Sequence, residues 1–575
     1  MLIAYLITQL SRRIRSMNFK GELLRLYDSI VPFARKAGRK VSLWLLTLYY
    51  ALKEGELTPK ERALTYAALA YVLIPGDLLP RKIFGLLGVT DDVTALVFAL
   101  QKIKKAITPA IRQKAEMKVE EWFGPEISTP TPQPEKNAKT VTLPLMKEKI
   151  QHLLSLCKEL NKYAHKLTAE DLQSGNPEER LDLQAVQQIT EEVKARLERG
   201  CRPIENKVIL HTGPHHDDIM LGLMPLINRQ LRPVSNEVYF NVMTSGYHSV
   251  SNSFMHDALA DTLRFLDDGR IEMVRYPDFF TGGYLLKYDK DVHHYLDNVA
   301  KKDTQGMRRG LCHRILRDMV GIWKPRNLEE TRAVLLREIE NLSASTPVET
   351  PEMDRLKGLE REFEEELVWA YMGVPGRNVR HLHLGLYGRQ EEQFTPDLQS
   401  DVLPILEQLR LINPDIISVV MDAGGLRPDT HYKVLLSVAA ALKLRHEEAD
   451  LSHVRILAYR NVWSTFHPAD ANMYVPVSLN AFAVIEKAFA TSYLSQYKAE
   501  FPNPNFDGPF SELAETIWVK QLRDIQFLLG KDFFYQNKSA LIRATHGMLF
   551  LNEYSVEEFL QIIHNQYLTT TPSRP

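Results

Sequence analysis

The chain has 575 residues, 45% apolar and 25% charged. That is an ordinary soluble composition, long enough for roughly three or four domains of ~100–200 residues each. Lysine and arginine number 71 against 72 acidic residues, so no global field draws in nucleic acid or an anionic membrane surface. The three cysteines, Cys157, Cys201 and Cys312, are far apart and form no CxxC pair. This argues against a disulfide framework and a cysteine zinc site, and fits a reducing cytoplasm.

The N-terminal run MLIAYLITQL is followed, not preceded, by Arg12, Arg13 and Arg15. A secretory signal needs its charges first and a small-residue cleavage site afterwards. This run and VSLWLLTLYYAL (41–52) both fall short of the ~20 residues of a membrane span, so they read as core helices, with no membrane contact expected. Residues 1–125 read as an all-α domain, with apolar residues at helical spacing in Leu23, Leu24, Tyr27, Ile30 and Val31 and again over 63–73. Within 67–96, Pro75-Gly76-Asp77 breaks one helix, Pro80 follows, and Asp91-Asp92 open another, with Thr90 or Asp91 as its cap. Residues 126–142, rich in proline, threonine and charge, read as a linker. Residues 143–204 read as a helical connector, with Leu153, Leu156, Leu160, Val186, Ile189 and Val193 on its apolar stripes and Gly200 at its end.

From 205 to 500 the pattern changes. β-rich runs at 207–213, 237–246, 379–387, 414–424 and 453–462 alternate with helical ones. The expected fold is α/β: a Rossmann-like, mostly parallel sheet with helices on both faces. Residues 250–370 are a charged, mainly helical insertion with a loose segment at 343–352, and 501–575 read as a helical C-terminal extension. The pair His293-His294 and the basic run Lys301–Arg309 read as solvated helix surface.

One motif carries chemistry. GPHHDDIMLG (213–222) follows the first strand directly, where ligands of open α/β sheets bind. Sequence neighbours cannot all turn to one ion, but His215 and Asp218, three apart at a helix start, can converge on one. Asp217 between them is then free to face a water. A third ligand comes from AGGLRPDTHYKV (423–434), where His431 opens a helix after another strand. Two histidines and one carboxylate with an open position suit catalytic Zn2+.

These residues resemble the PIG-L/LmbE-type zinc deacetylases, marked by His-Pro-Asp-Asp after the first strand and a distant histidine at a later strand end. The resemblance covers about 205–300 and 355–465, and includes REFEEELVWAYMG, where Arg361 and Glu364 take the places of the family's Arg-x-x-Glu helix. It implies zinc on His215, Asp218 and His431, with Asp217 as general base. It also implies a small-molecule N-acetylated amino sugar or glycoconjugate as substrate. The chain departs from the pattern in two places. His216 replaces the proline, which leaves it facing outward, competing for metal, supporting a metal ligand from behind, or touching substrate. Arg427 stands near the family's oxyanion-stabilising histidine, at a different spacing. His467 and Asp470, in FHPADAN, either face the cleft, with His467 a second candidate oxyanion donor, or form a turn. The segment at about 20–105 resembles the small helical YkvA-like family, through Tyr71, Pro75, Asp77, Pro80, Asp91 and Asp92. That family supplies no activity, and its aspartates read as caps and turns rather than metal ligands. The rivals to a deacetylase are a non-catalytic scaffold that kept the deacetylase fold and a glucosamine-6-phosphate deaminase label inherited from fused relatives.

Overall fold

The computed structural model describes residues 19–55, 57–73, 99, 103, 106–123, 142–173, 181–280, 288–387, 394–421, 429–462, 464–497, 506 and 508–565. The linker 126–141, the turn and aspartate pair at 75–92, and Arg427 lie outside them.

Three helices, α1 (Phe19–Glu54), α2 (Pro59–Leu73) and α3 (Pro109–Phe123), bury Leu26, Leu45, Leu48, Ala67 and Val119 in a cluster of their own. No helix among the described residues is long and apolar enough to cross a membrane. Next come α4 (Thr142–Leu160) and α5 (Leu183–Cys201). Their Ile150, Leu153, Ile189 and Val193 enter the same core cluster as the sheet residues Leu210, Ile417 and Ile456. The segment read as a connector is therefore part of the α/β core.

The sheet is mixed and has seven strands: β1 (Val208–Gly213), β2 (Glu237–Val242), β3 (Val379–His381), β4 (Ile416–Val420), β5 (Arg455–Tyr459), β6 (Met473–Ser478) and β7 (Thr545–Ser555). Their order is β3-β2-β1-β4-β5-β7-β6. The first five are parallel, and β7 runs antiparallel to both its neighbours. Successive strand residues point to opposite faces, so Leu210, Ile417, Val419 and Ile456 join one cluster while Ile209, Ile416, Val420 and Leu457 join the other. Helices α12 (Leu403–Ile412), α13 (Thr430–Glu448) and α16 (Val556–Ile563) cover the first face together with α4 and α5. Helices α6 (Asp218–Gln230) and α14 (Leu479–Ser492) cover the second, and α15 (Phe510–Leu529) joins both, with Ala514 and Trp518 in the second cluster and Leu522, Ile525 and Leu528 in the first. The insertion is helical: α7 (Asn252–Asp267), α8 (Tyr288–Lys301), α9 (Thr304–Trp323), α10 (Leu328–Ser343) and α11 (Pro351–Tyr371).

Four further expectations need correction. The C-terminal extension is not helical throughout, because β7 lies within it and is inserted between β5 and β6. The run 379–387 is a strand only as far as His381. His383 takes φ 52°, which ends the ladder, although Leu382 N and Leu384 N still donate to Val242 O and Met243 O at 2.9 and 2.7 Å. The basic run 301–309 is not one helix face: Lys302, at φ 56°, separates α8 from α9. His293 is exposed as expected, but His294 is half-buried and stacks on His313 with ring centroids 5.7 Å apart.

The sheet's order turns at β1. The chain moves one way to β2 and β3, then crosses back to place β4 on the other side of β1. The loops after β1 and β4 therefore diverge and leave a crevice between them at their carboxyl ends.

Candidate metal centre

The loop Pro214–Asp217 runs from β1 into α6, and its backbone is held at several points. Tyr459 Oη donates to Thr212 O at 2.8 Å, Thr244 Oγ1 to Pro214 O at 2.7 Å, and Tyr493 Oη lies 2.6 Å from His216 O. Tyr387 Oη in turn bonds Thr244 Oγ1 at 2.7 Å and accepts from Gly246 N at 3.0 Å. Gly246 has φ 65°, and a Cβ there would lie 2.8 Å from His216 Nδ1. The turn beneath the loop thus needs glycine both for its left-handed backbone and for the close approach.

Three side chains meet across the crevice. His215 Nδ1, Asp218 Oδ2 and His431 Nε2 stand 3.2 Å from one another on all three edges. Tetrahedral zinc with bonds of ~2.0–2.1 Å holds its ligand atoms about 3.3 Å apart, so the donor set and its spacing fit that ion. The group opens outward on one side: the side chains of His215, His431 and Asp218 are 30%, 11% and 3% exposed. Asp218 is fixed in its rotamer. Its Oδ2 also accepts from His215 N at 2.8 Å, and its Oδ1 accepts from Asn461 Nδ2 at 2.5 Å. Burial pushes the Asp218 carboxyl up, but the two imidazoles beside it outweigh that and hold it well below the usual carboxylate range. His431 lies in the first turn of α13, whose cap is Asp429, accepting from Tyr432 N at 2.7 Å.

Asp217 sits at the N-cap position of α6 but makes no side-chain cap. Its Oδ2 faces Arg361 Nη2 of α11 at 3.5 Å. Arg361 is itself buried, and its Nη1 donates to Glu364 Oε2 at 2.5 Å. Glu364 also accepts from Ser495 N and Oγ at 2.5 and 3.1 Å. The sequence pair Arg361–Glu364 is thus a brace for Asp217.

The remaining candidates are placed elsewhere. His216 is fully buried. Its ring stacks on His381 at 5.4 Å, and neither ring has a hydrogen-bonded nitrogen. Asp470 pairs with Lys147 of α4, and His467 Nδ1 accepts from Ala469 N at 3.1 Å. FHPADAN is therefore a turn that leans on α4. His211, one turn of the strand before the motif, is a core histidine bonded to Ser418 Oγ and Gln230 Oε1, each at 2.9 Å. Burial lowers its pKa to about 4.

The sequence reading missed Asn461, Tyr387 and Tyr493. The first two stand at the ends of the β-rich runs 453–462 and 379–387, which was the available signal. The ring of Tyr387 stacks on His215 at 6.3 Å.

The family model described as "Protein of unknown function (DUF1232)" matches residues 61–98, within the segment read as YkvA-like. No curated protein and no solved structure matches the chain.

Proposed function

We propose that the protein is a zinc-dependent hydrolase that removes an N-acetyl group from an amino sugar or its conjugate, with a Rossmann-like domain of the PIG-L/LmbE type. The observation that carries this reading is the triangle of His215, Asp218 and His431, with 3.2 Å edges, at the strand ends β1 and β4. These three residues would hold the ion, which supplies Lewis acidity to a water and to an acyl oxygen. Asp217 accepts the water's proton as the nucleophile forms, and later returns it to the departing amine. Arg361 orients Asp217 for this from behind and balances its charge. Asn461 fixes Asp218 so that one carboxylate oxygen points outward to the ion. Arg427 is the residue proposed to meet the developing oxyanion.

The test is elemental analysis of the full chain purified without chelator, followed by acetate release from a panel of N-acetylated sugars. About one equivalent of zinc and released acetate are expected. A protein that holds no zinc even after zinc is added back is a scaffold rather than this enzyme.

A further inference from the structure

Behind the loop lies a carboxyl group that the proposed reaction does not use. Glu365, on α11, is fully buried, and its Oε1 accepts from Trp369 Nε1 at 2.6 Å. Its Oε2 lies 2.7 Å from Tyr493 Oη, and the same hydroxyl lies 2.6 Å from His216 O. A tyrosine has one proton to donate. The His216 carbonyl can only accept, so if Tyr493 serves it, the second short contact needs a proton from Glu365. A neutral acid meets every need: Glu365 donates to Tyr493, Tyr493 donates to His216 O, and Trp369 donates to Glu365.

Charge counting agrees. Arg361 already faces two carboxylates, Asp217 and Glu364. Burial already pushes the Glu364 carboxyl up, and an ionised Glu365 would add a further negative charge beside a guanidinium that has two carboxyl partners, which is costly away from water.

We propose that Glu365 is a neutral carboxylic acid in the folded protein and that its proton, acting through Tyr493, clamps the His216 carbonyl and so holds the loop bearing His215, Asp217 and Asp218 in its metal-binding shape. Glu365 is thus a positioning residue. Burial is the main force on its acidity, opposed by Tyr493, Trp369 and Arg361 and reinforced by Asp217, and it pushes the group up to about 8. On ionisation the Tyr493 hydroxyl turns to the new carboxylate, and the His216 carbonyl loses its donor. The consequence for metal rests on the zinc reading above, whereas the protonation does not.

Two measurements on the full chain separate these. In the infrared difference between wild type and Glu365→Gln, a protonated-carboxyl band is expected at pH 6.5, fading with a midpoint near 8. Zinc affinity, read by competition with a chromophoric chelator, is expected to be similar for the two proteins at pH 6.5. By pH 9.5 it should differ by roughly tenfold in favour of Glu365→Gln, whose amide keeps donating to Tyr493 at every pH; that is about one hydrogen bond's worth. Tyr493→Phe should bind zinc more weakly even at pH 6.5. Absence of the band at pH 6.5 overturns the proposal, as does a Glu365→Gln affinity profile parallel to wild type. If neither protein binds zinc at any pH, the metal reading fails alone, and the infrared band still decides the state of Glu365.

Discussion

Asp217 and Asp218 are neighbours in the chain, yet their carboxylates face different partners. Asp218 Oδ2 lies 3.2 Å from both His215 Nδ1 and His431 Nε2, whereas Asp217 Oδ2 lies 3.5 Å from Arg361 Nη2. The start of α6 separates them: Asp218 belongs to the first turn, and Asp217 precedes it. On the proposed reading, one carboxylate binds the ion and the other transfers the proton.

That division predicts two kinds of mutant. Asp217→Ala should keep its zinc and lose ~10²–10⁴ in turnover, the usual contribution of a positioned base. His215→Ala should lose the zinc. Metal analysis and acetate release on the same samples check both. An Asp217→Ala protein as active as its parent would remove the role given to that residue.

Asn461→Ala should act on metal rather than on chemistry. It removes the donor to Asp218 Oδ1 and lets the carboxylate rotate. Loss of such an outer partner typically weakens metal binding ~10–100-fold. Zinc competition measures the change, and the turnover of the fully loaded variant should stay near that of wild type.

Chain truncation should behave asymmetrically. A chain beginning at Thr142 should fold and bind zinc, since α1 to α3 bury their apolar residues in a separate cluster. A chain beginning at Asn206 should not fold. It lacks Ile150, Leu153, Ile189 and Val193, all within the sheet's own core. Losses of ~2–5 kcal/mol for each large buried side chain quickly exceed a total stability of ~5–15 kcal/mol. Circular dichroism and denaturant melts of the two chains distinguish the cases.

Glu365 should leave a mark on stability as well. Its acidity is pushed from 4.5 in the free state up to about 8 in the fold, by burial first. Between those values the folded chain holds a proton that the unfolded chain has released. The group's contribution is therefore complete below about pH 4.5 and is lost as pH rises through about 8, at about 1.4 kcal/mol per pH unit. Glu365→Gln has no such slope, so its stability relative to wild type should rise from pH 5 to pH 8. Urea melts at a series of pH values test this; equal slopes for the two proteins would show that Glu365 is ionised in the fold.

The sequence reading reached the parts whose signals are local. KVILHTG, PDIISVV and VRILAY are compact β-rich runs, and each contains a parallel strand. The motif residues His215, Asp218 and His431 lie just beyond two of them, and there the chain topology brings the side chains together. β7 was not legible, because an antiparallel strand slotted between β5 and β6 is defined by partners ~70–100 residues away, and nothing in THGMLFLNEYS states that pairing. Asn461 and Tyr493 were missed because neither is a zinc-ligand type. Their roles exist only through a 2.5 Å contact with Asp218 and a 2.6 Å contact with His216 O. The sequence leaves several roles open for His216, because a histidine beside histidine and aspartate is compatible with chemistry; only the fold packs its ring against His381.

β6 ends the sheet, and an apolar end strand is an invitation to pair with a second molecule. Two features here refuse it. Pro476 breaks the row of donors. Helix α5 closes against the strand: Arg196 and Arg199 donate to the carbonyls of Ala471 and Asn472, and Gly200 comes so near that a Cβ would lie 1.9 Å from Tyr474 O. A helix made some 270 residues before this strand is already waiting when the strand emerges from the ribosome. A growing chain thus carries its own guard against clumping with its neighbours, and a bulkier residue at position 200 would disarm it.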